Sequence, residues 1–386
     1  MRKWMPVLLV LTLAVAVASS SLGRTGEIVI GSLQDMSSTT SVWGKAVTDG
    51  AELAVEKLNK DGGVLGNKIR LITYDTRNDV QEAINAYNRL TGQDKVVAVI
   101  GPPVSNIGIA LAPLAEQAKV MILGSFIDER ATTNETTGKP WGFNFLMQPS
   151  SVQQAWIMAS YTLEKLKLKK VGVLYNQANA YSVSLAKPFM DYVNGHGGSI
   201  VSVQTYKTGD KDFRTQFAAM RSAGAQTIYL PNYIQDDVLQ VQQARAMGME
   251  MPIVGGLDFA PPFASLCGDA ANDVYFPNNF SFDEPQLKDV WTAFKARHKE
   301  DPLNKVFLGY DSVMLFADAI KRAGQLDPVK MRDAMEKTKN FQGTTGAFGI
   351  SAKTHRPYGL DMVIMKVEKG QYVTKGRYIT PELTKE

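Results

Sequence analysis

Between residues 28 and 230, short runs rich in β-branched residues alternate with longer segments whose apolar side chains recur every three or four positions. Parallel strands need a crossover of a dozen or more residues, and an amphipathic helix supplies one, so this alternation predicts parallel sheets. The first round reads strand 28–30, helix 44–60, strand 69–74, helix 80–90, strand 96–100, helix 106–117 and strand 120–123. In the first helix Val47, Ala51, Ala54, Val55 and Leu58 make one apolar face, and Asp61-Gly62-Gly63 ends it. A second round follows Gln148-Pro149-Ser150, with helix 152–166, strand 171–175, helix 182–194, strand 200–206, helix 213–223 and strand 227–230. The expected fold class is α/β, with two Rossmann-like lobes whose parallel sheets are covered on both faces. Later stretches, Tyr275 to Phe280 and Lys353 to Tyr358, are places where the chain can cross between lobes.

A length of 386 residues exceeds the roughly 250–300 at which single cores stop growing, which also favours two lobes. Two such lobes place a cleft between the carboxyl ends of two sets of strands, and function is expected in the loops there. Arg2 and Lys3 precede an apolar run from Val7 to Val17, and Ala16-Val17-Ala18 offers small residues for cleavage, so residues 1–18 read as a signal peptide. Eleven apolar residues are short of the ~20 that span a bilayer. No cysteine follows the run, so a lipid anchor is not expected, and the single Cys267 allows no intramolecular disulfide. The formal charge of +4 falls by two when the leader is removed, which argues against nucleic acid or anionic lipid as partner. Lys165 to Lys170 reads as a solvated helix end.

Signs of catalysis are sparse. His196, His298 and His355 form no metal-binding spacing, and surface positions are expected for all three. There is no nucleophile elbow, Walker loop or dinucleotide fingerprint, and Gly62 to Gly66 reads as a helix stop and turn. A pair of acids acting as a glycosidase is not excluded by composition. No catalytic residue, metal or cofactor is assigned. Binding chemistry is clearer. Gly101-Pro102-Pro103-Val104-Ser105-Asn106 leads from a strand into a helix, putting a hydroxyl and free N–H groups where a carboxylate can dock, although Ser105 or Asn106 can equally cap the helix. Asp128, after the next strand, can face an ammonium group or cap the following turn.

The order of elements and several local motifs resemble the leucine/isoleucine/valine-binding proteins, the type I periplasmic solute-binding family of ATP-binding cassette importers. The resemblance runs over nearly the whole mature chain, through Val42-Trp43-Gly44, Asn59-Lys60-Asp61-Gly62-Gly63, Tyr74-Asp75, Ile100-Gly101 with Ser105, Gly209-Asp210-Lys211-Asp212-Phe213, Gln243-Ala244-Arg245 and Gly268-Asp269-Ala270-Ala271. It implies a non-catalytic receptor whose lobes are joined by three crossovers and close on a small solute. It also implies lobe 1 at 27–146 plus 279–352 and lobe 2 at 147–278 plus 353–386.

Carried over by position, the family's carboxylate-binding serine falls on Ser105 and its aromatic neighbour on Trp43. The strand-end threonine that accepts the ligand's ammonium falls on Asp128, and a small residue's place is taken by Phe126. In the second lobe the tyrosines fall on Tyr181 and Tyr233, and the acid that pairs with the ammonium falls on Asp258. Core packing is the competing role for every aromatic, including Tyr229, Phe259 and Tyr310. The resemblance thus implies a periplasmic receptor that delivers a small amino acid, of branched-chain or aliphatic type, to a membrane permease, and a monomer is the simplest expectation. A small amide or an aromatic carboxylate is the alternative ligand, in transport or in sensing, and an exported hydrolase is the remaining reading.

Overall fold

A computed structural model describes residues 26–380 and 383; the expected leader, residues 1–18, lies outside the described residues. The first sheet is built from β1 (Glu27–Gln34), β2 (Lys68–Asp75), β3 (Ala98–Gly101) and β4 (Met121–Gly124), separated by α1 (Ser41–Lys60), α2 (Val80–Gly92) and α3 (Ser105–Ala118). A two-residue ladder, β5 (Thr133–Asn134) with β6 (Lys139–Pro140), precedes β7 (Asn144–Leu146), which closes the sheet. Its order is β2-β1-β3-β4-β7, and every pairing is parallel.

The second lobe opens at α4 (Ser151–Glu164), where Ser150 and Gln153 form a reciprocal capping box. Then follow β8 (Lys170–Asn176), α5 (Ala180–Gly195), β9 (Ser199–Tyr206), α6 (Arg214–Ser222), β10 (Thr227–Leu230), α7 (Ile234–Ala246), β11 (Ile253–Gly255), α8 (Phe263–Cys267) and β12 (Val274–Asn278). The chain returns to the first lobe through α9 (Lys288–His298), α10 (Asn304–Ala323) and α11 (Pro328–Glu336). Next comes a small sheet of β13 (Phe341–Gly343), β14 (Gly346–Ile350) and β15 (Pro357–Tyr358). It crosses a third time into the antiparallel pair β16 (Met362–Glu368) and β17 (Gln371–Tyr378), at the edge of the second sheet. That sheet runs β17-β16-β12-β11-β10-β8-β9.

Both sheets are covered on two faces at their centres, where β3, β4, β10 and β11 are buried along their whole length, while the edge strands β2, β9 and β17 carry polar, exposed residues. Helices α1 and α10 meet backbone to backbone in the first lobe. A Cβ on Gly50 would lie 1.8 Å from the Val306 carbonyl oxygen, and one on Gly309 would lie 2.1 Å from that of Val47, so only glycine permits the contact. The turn after α1 is as expected, with Gly62, Gly63 and Gly66 at φ of 99°, 84° and 76°. The exposed side chains of Lys165, Lys167, Lys169 and Lys170 follow α4.

One expectation is corrected. His355 is not on the surface but 1 % exposed. Its ring stacks on Phe145 at 4.0 Å, and Nε2 lies 3.0 Å from Glu336 Oε1. The chain here runs along the edge of β7, the His355 carbonyl accepting from the Leu146 N–H at 3.0 Å, a tertiary effect that one exposed-looking Thr354-His355-Arg356 sequence does not announce.

Candidate functional site

In the first sheet the chain order reverses between β1 and β3, and in the second between β8 and β10. Loops leaving the carboxyl ends of strands at such a switch point diverge and leave a crevice. Here the two crevices face each other.

The loop after β1 is organised by Asp35, which is wholly buried. Its carboxylate accepts from the N–H groups of Ser37, Ser38 and Thr40 and from the Thr40 hydroxyl, at 2.7–3.1 Å. This clamps the start of α1, and Gly44 lets the helix pass against Asp35, where a Cβ would be 2.0 Å from its carbonyl oxygen. The clamp aims Trp43 out of its own lobe: the ring packs in a core cluster of the second lobe, and Nε1 donates to Asp258 Oδ1 at 2.8 Å.

Helix α3 begins at Ser105, with Val104 as its N-cap and no side chain capping it. Neither Ser105 nor Asn106 therefore fills the capping role. The Ser105 hydroxyl oxygen accepts from the N–H groups of Ile127 and Asp128, each at 3.4 Å, which leaves its proton free to donate. Asn106 Oδ1 accepts from the Ala180 N–H at 3.0 Å, across the cleft. Phe126 turns its ring away from the cleft into the first core, onto Gly101, Gly108 and Gly124; a Cβ on Gly124 would lie 2.0 Å from it. Asp128 takes the turn-capping role, accepting from the Arg130 N–H at 2.9 Å, and its carboxylate also pairs with the Arg130 guanidinium at 2.6 Å.

From the second lobe come Tyr181, in the first turn of α5 behind the cap Asn179, and Tyr233, ahead of α7. Their rings stack at 5.0 Å. Burial pushes the Tyr181 ionisation well above the ordinary tyrosine range, and the Asp258 carboxylate, which the hydroxyl approaches, adds to the shift. Tyr233 is likewise pushed up, first by burial and then by Asp258, while Asn179 and the Ser105 N–H oppose the shift. Tyr233 lines the same cavity as Val104, Asn106 and Ile107 at the start of α3.

Asp258, 6 % exposed, lies in a short turn after β11. Burial raises its pKa, and Lys305, Tyr181, Trp43 and the Ile234 N–H oppose the rise. Lys305, from the first turn of α10, is also 6 % exposed and, among the described residues, has no hydrogen-bond or ion-pair partner. Burial lowers it to about 8, with Asp258 acting against that. A cavity of about 540 Å³ between the lobes is lined by Thr39, Asn106, Asn179, Thr208, Tyr233 and Asp236 among others. Trp43, Ser105, Tyr181, Asp258 and Lys305 are not among the residues that line it and lie around it in the packed contact between the lobes.

The structure thus brings Trp43, Ser105, Asn106, Tyr181, Tyr233 and Asp258 to one cleft and takes the Phe126 ring out of it. Tyr229 and Phe259 are core residues, stacked on Phe189 at 3.7 Å and set edge-on to Phe263 at 4.6 Å. Tyr310 packs near α1, half-buried. Sequence reasoning missed Asp35, Arg130 and Lys305. Lys305 carried a signal, because Leu308, Gly309 and Ser312 at helical spacing put it on the buried face of α10. Among the described residues no group of histidine, cysteine or acids could hold a metal ion, and no helix is long and apolar enough to cross a membrane. Cys267 is buried, its thiol pushed up to about 12.

Two doubly wound lobes meeting over such a cleft define a type I periplasmic binding fold. The model of the family described as periplasmic binding protein matches residues 27–371. The Leu/Ile/Val-binding protein homolog 3 of Brucella melitensis is 28 % identical over 304 residues, covering 78 % of this chain and 80 % of that one. A branched-chain amino acid transporter substrate-binding protein of Streptococcus pneumoniae, solved with isoleucine, is 30 % identical with a TM-score of 0.82, over 92 % of this chain and 99 % of that one. A solute-binding protein of Rhodopseudomonas palustris in complex with benzoate shares the fold at 19 % identity and a TM-score of 0.82, over 93 % and 99 % of the two chains. The chain belongs to the periplasmic binding protein family, in its leucine/isoleucine/valine-binding branch. Its relatives there are solute-binding proteins.

Proposed function

We propose that the protein is an extracytoplasmic solute receptor, without enzymatic activity, that closes on a small carboxylate and presents it to an ABC permease. In this reading residues 1–18 are a cleaved leader, the mature chain is a periplasmic monomer, and the lobes are 27–146 plus 279–352 and 147–278 plus 353–386. The observation that carries it is the convergence of Ser105 and the open N-terminus of α3 with Tyr181, Tyr233 and Asp258 across the cleft, joined by the Trp43–Asp258 bond. The unbonded N–H groups of a helix start, with its dipole, suit a carboxylate. A ligand touching both lobes favours the closed state by its differential affinity.

Two ligand chemistries fit that frame. The names of the relatives support an α-amino acid of branched-chain or aliphatic type, its ammonium at Asp258. The pairing of Asp128 with Arg130 and the presence of Lys305 near Asp258 favour a carboxylate without an ammonium, the type of ligand held on this fold in the benzoate complex. A thermal-shift screen of the ligand-stripped chain against amino acids, keto acids, aromatic acids, amides and sugars tests the proposal. A carboxylate at one hundred times its dissociation constant should stabilise by about 2.7 kcal/mol. Stabilisation by sugars or amides alone would overturn the carboxylate reading.

A further inference from the structure

Resting on that reading, we infer that residues 125–129, which follow β4, form a strap coupling the Ser105 anchor to all three passages of the chain between the lobes, with Glu129 and Gln148 as positioning residues that set how readily the lobes close. On the site side, the N–H groups of Ile127 and Asp128 both donate to the Ser105 hydroxyl oxygen at 3.4 Å. On the other side, the Ile127 carbonyl accepts from the Ser151 N–H at 2.8 Å and the Ser125 carbonyl from the Gln148 side chain, both in the first passage, between β7 and α4. Gln148 Oε1 in turn accepts from the Asn279 side chain at 3.2 Å, where the chain returns after β12. Glu129 divides its carboxylate. Oε1 accepts from the Ser150 hydroxyl at 2.5 Å, and Oε2 pairs at 2.5 Å with Arg356, on the approach to the third passage. Arg356 is further fixed by the hydroxyls of Thr132 and Thr133, at 3.1 and 2.7 Å.

Gln148, Ser150 and Asn279 are at most 3 % exposed, so their bonds are shielded from water. A change of lobe angle turns the backbone at the passages and cannot leave these bonds untouched. Holding a loop in place does not require such links: Asp35 clamps the loop after β1 entirely through that loop's own Ser37, Ser38 and Thr40. The strap also has a reason to adopt more than one arrangement. Ser125 Oγ and Asn279 Oδ1 are buried without a hydrogen-bond partner, so a lobe angle that pairs them competes with this one. A carboxylate that accepts from the Ser105 hydroxyl polarises its oxygen and strengthens the two long bonds from Ile127 and Asp128. The pull passes along one short segment to Ser151 and Glu129, and so to the passages on which closure turns.

Pulsed dipolar spectroscopy on the ligand-stripped mature chain reads this coupling. Spin labels go at Gln81→Cys and Lys211→Cys, exposed positions beside opposite walls of the cavity, with Cys267→Ala to leave no other thiol. The lobes are in contact through Trp43 and Asp258, so loss of a strap bond favours opening. Glu129→Gln keeps an oxygen for Ser150 but removes the charge that holds Arg356, and should raise the population at long interlobe distance about threefold. Ser105→Ala removes the acceptor at the other end and should do the same, and the double variant should add little to either, as members of one network do. Arg70→Gln breaks an ion pair of the first sheet, to Glu27 at 2.8 Å, and should leave the distribution as it is. No shift in Glu129→Gln, or in Gln148→Met where Glu129→Gln does not fold, overturns the inference. An equal shift in Arg70→Gln overturns it as general loosening. A shift absent from Ser105→Ala, or fully additive in the double variant, overturns the coupling to the site. None of these results touches the carboxylate reading, which stands or falls by the thermal-shift screen of the wild type.

Discussion

The two halves of the cleft are built differently. The first lobe offers mainly backbone: the start of α3, positioned by β3 and by a Phe126 ring seated on three glycines, with Asp35 and Asp128 both satisfied by near neighbours. The second lobe offers side chains, and several of its buried polar atoms stand open, among them the hydroxyls of Tyr229 and Tyr233 and both carboxylate oxygens of Asp237. Burial pushes Asp237 well above the usual carboxylate range, with Asp258 adding to the shift. Open buried polar atoms occur in the first lobe too, at Gln34, Thr76 and Ser125, so the contrast is one of chemistry: backbone groups for anchoring on one side, side chains for discrimination on the other.

If the first half is a preformed platform, Phe126→Ala should damage stability far more than recognition. Loss of a fully buried phenylalanine costs about 3–5 kcal/mol, seen as a lower denaturation midpoint, while affinity should shift by only a few fold. A parallel large loss of affinity would put Phe126 back in the pocket. Lys305 should leave a mark of similar size on the pH dependence. Its folded-state value of about 8 lies below the ordinary lysine value of 10.5, so between these the unfolded chain binds more protons and stability rises with pH. The difference between wild type and Lys305→Met, measured by denaturation from pH 7 to 10.5, should change by on the order of 3 kcal/mol. A flat difference would show the lysine to be solvated.

Asp258→Ala removes the acceptor of Trp43 and leaves Lys305 uncompensated, at about 1.5–3 kcal/mol. Binding should weaken at least tenfold, with the free protein shifted toward open forms in small-angle scattering. Ser105→Ala acts on the anchoring side and should weaken carboxylate binding about tenfold, or ~1.4 kcal/mol, with unfolding almost unchanged. Asn106→Ala removes one bond between the lobes, worth about 0.5–1.5 kcal/mol, and should raise the dissociation rate by several fold at most. An effect larger than that of Ser105→Ala would make interlobe contact, and not the α3 start, the main determinant.

The layers of this fold were readable because their signal is local. The strands and helices of both rounds lie within a few residues of their expected ends; β10 spans Thr227–Leu230, as read from the sequence, and α2 starts at Val80 as its cap Asp79 announces. Trp43, Ser105, Tyr181, Tyr233 and Asp258 were assigned by resemblance, and the structure gathers them. What a single sequence hides is the direction of a side chain once the chain has turned. Phe126 and Asp128 are two residues apart, yet one fills the first core and the other holds Arg130. His355 looked solvated and is buried under Phe145. Lys305, whose charge acts on Asp258, comes from an element that follows β12 and precedes the last two strands of the second sheet.

That last point has a meaning for the order in which the molecule takes shape. The strands of the first sheet are finished by Leu146, but the helix that seats on α1 through Gly50 and Gly309 begins only at Asn304. Until then the face of α1 that carries Gly50 has no cover, whereas β8 to β12 and their helices form one uninterrupted stretch, with β16 and β17 added later at the edge. Contacts that close long loops form late, because chain entropy must be overcome before they are rewarded. The strands behind the side-chain half of the cleft, β8 to β12, therefore come from one run of chain, whereas the lobe that holds the backbone half is closed only by a helix about 160 residues beyond its last strand.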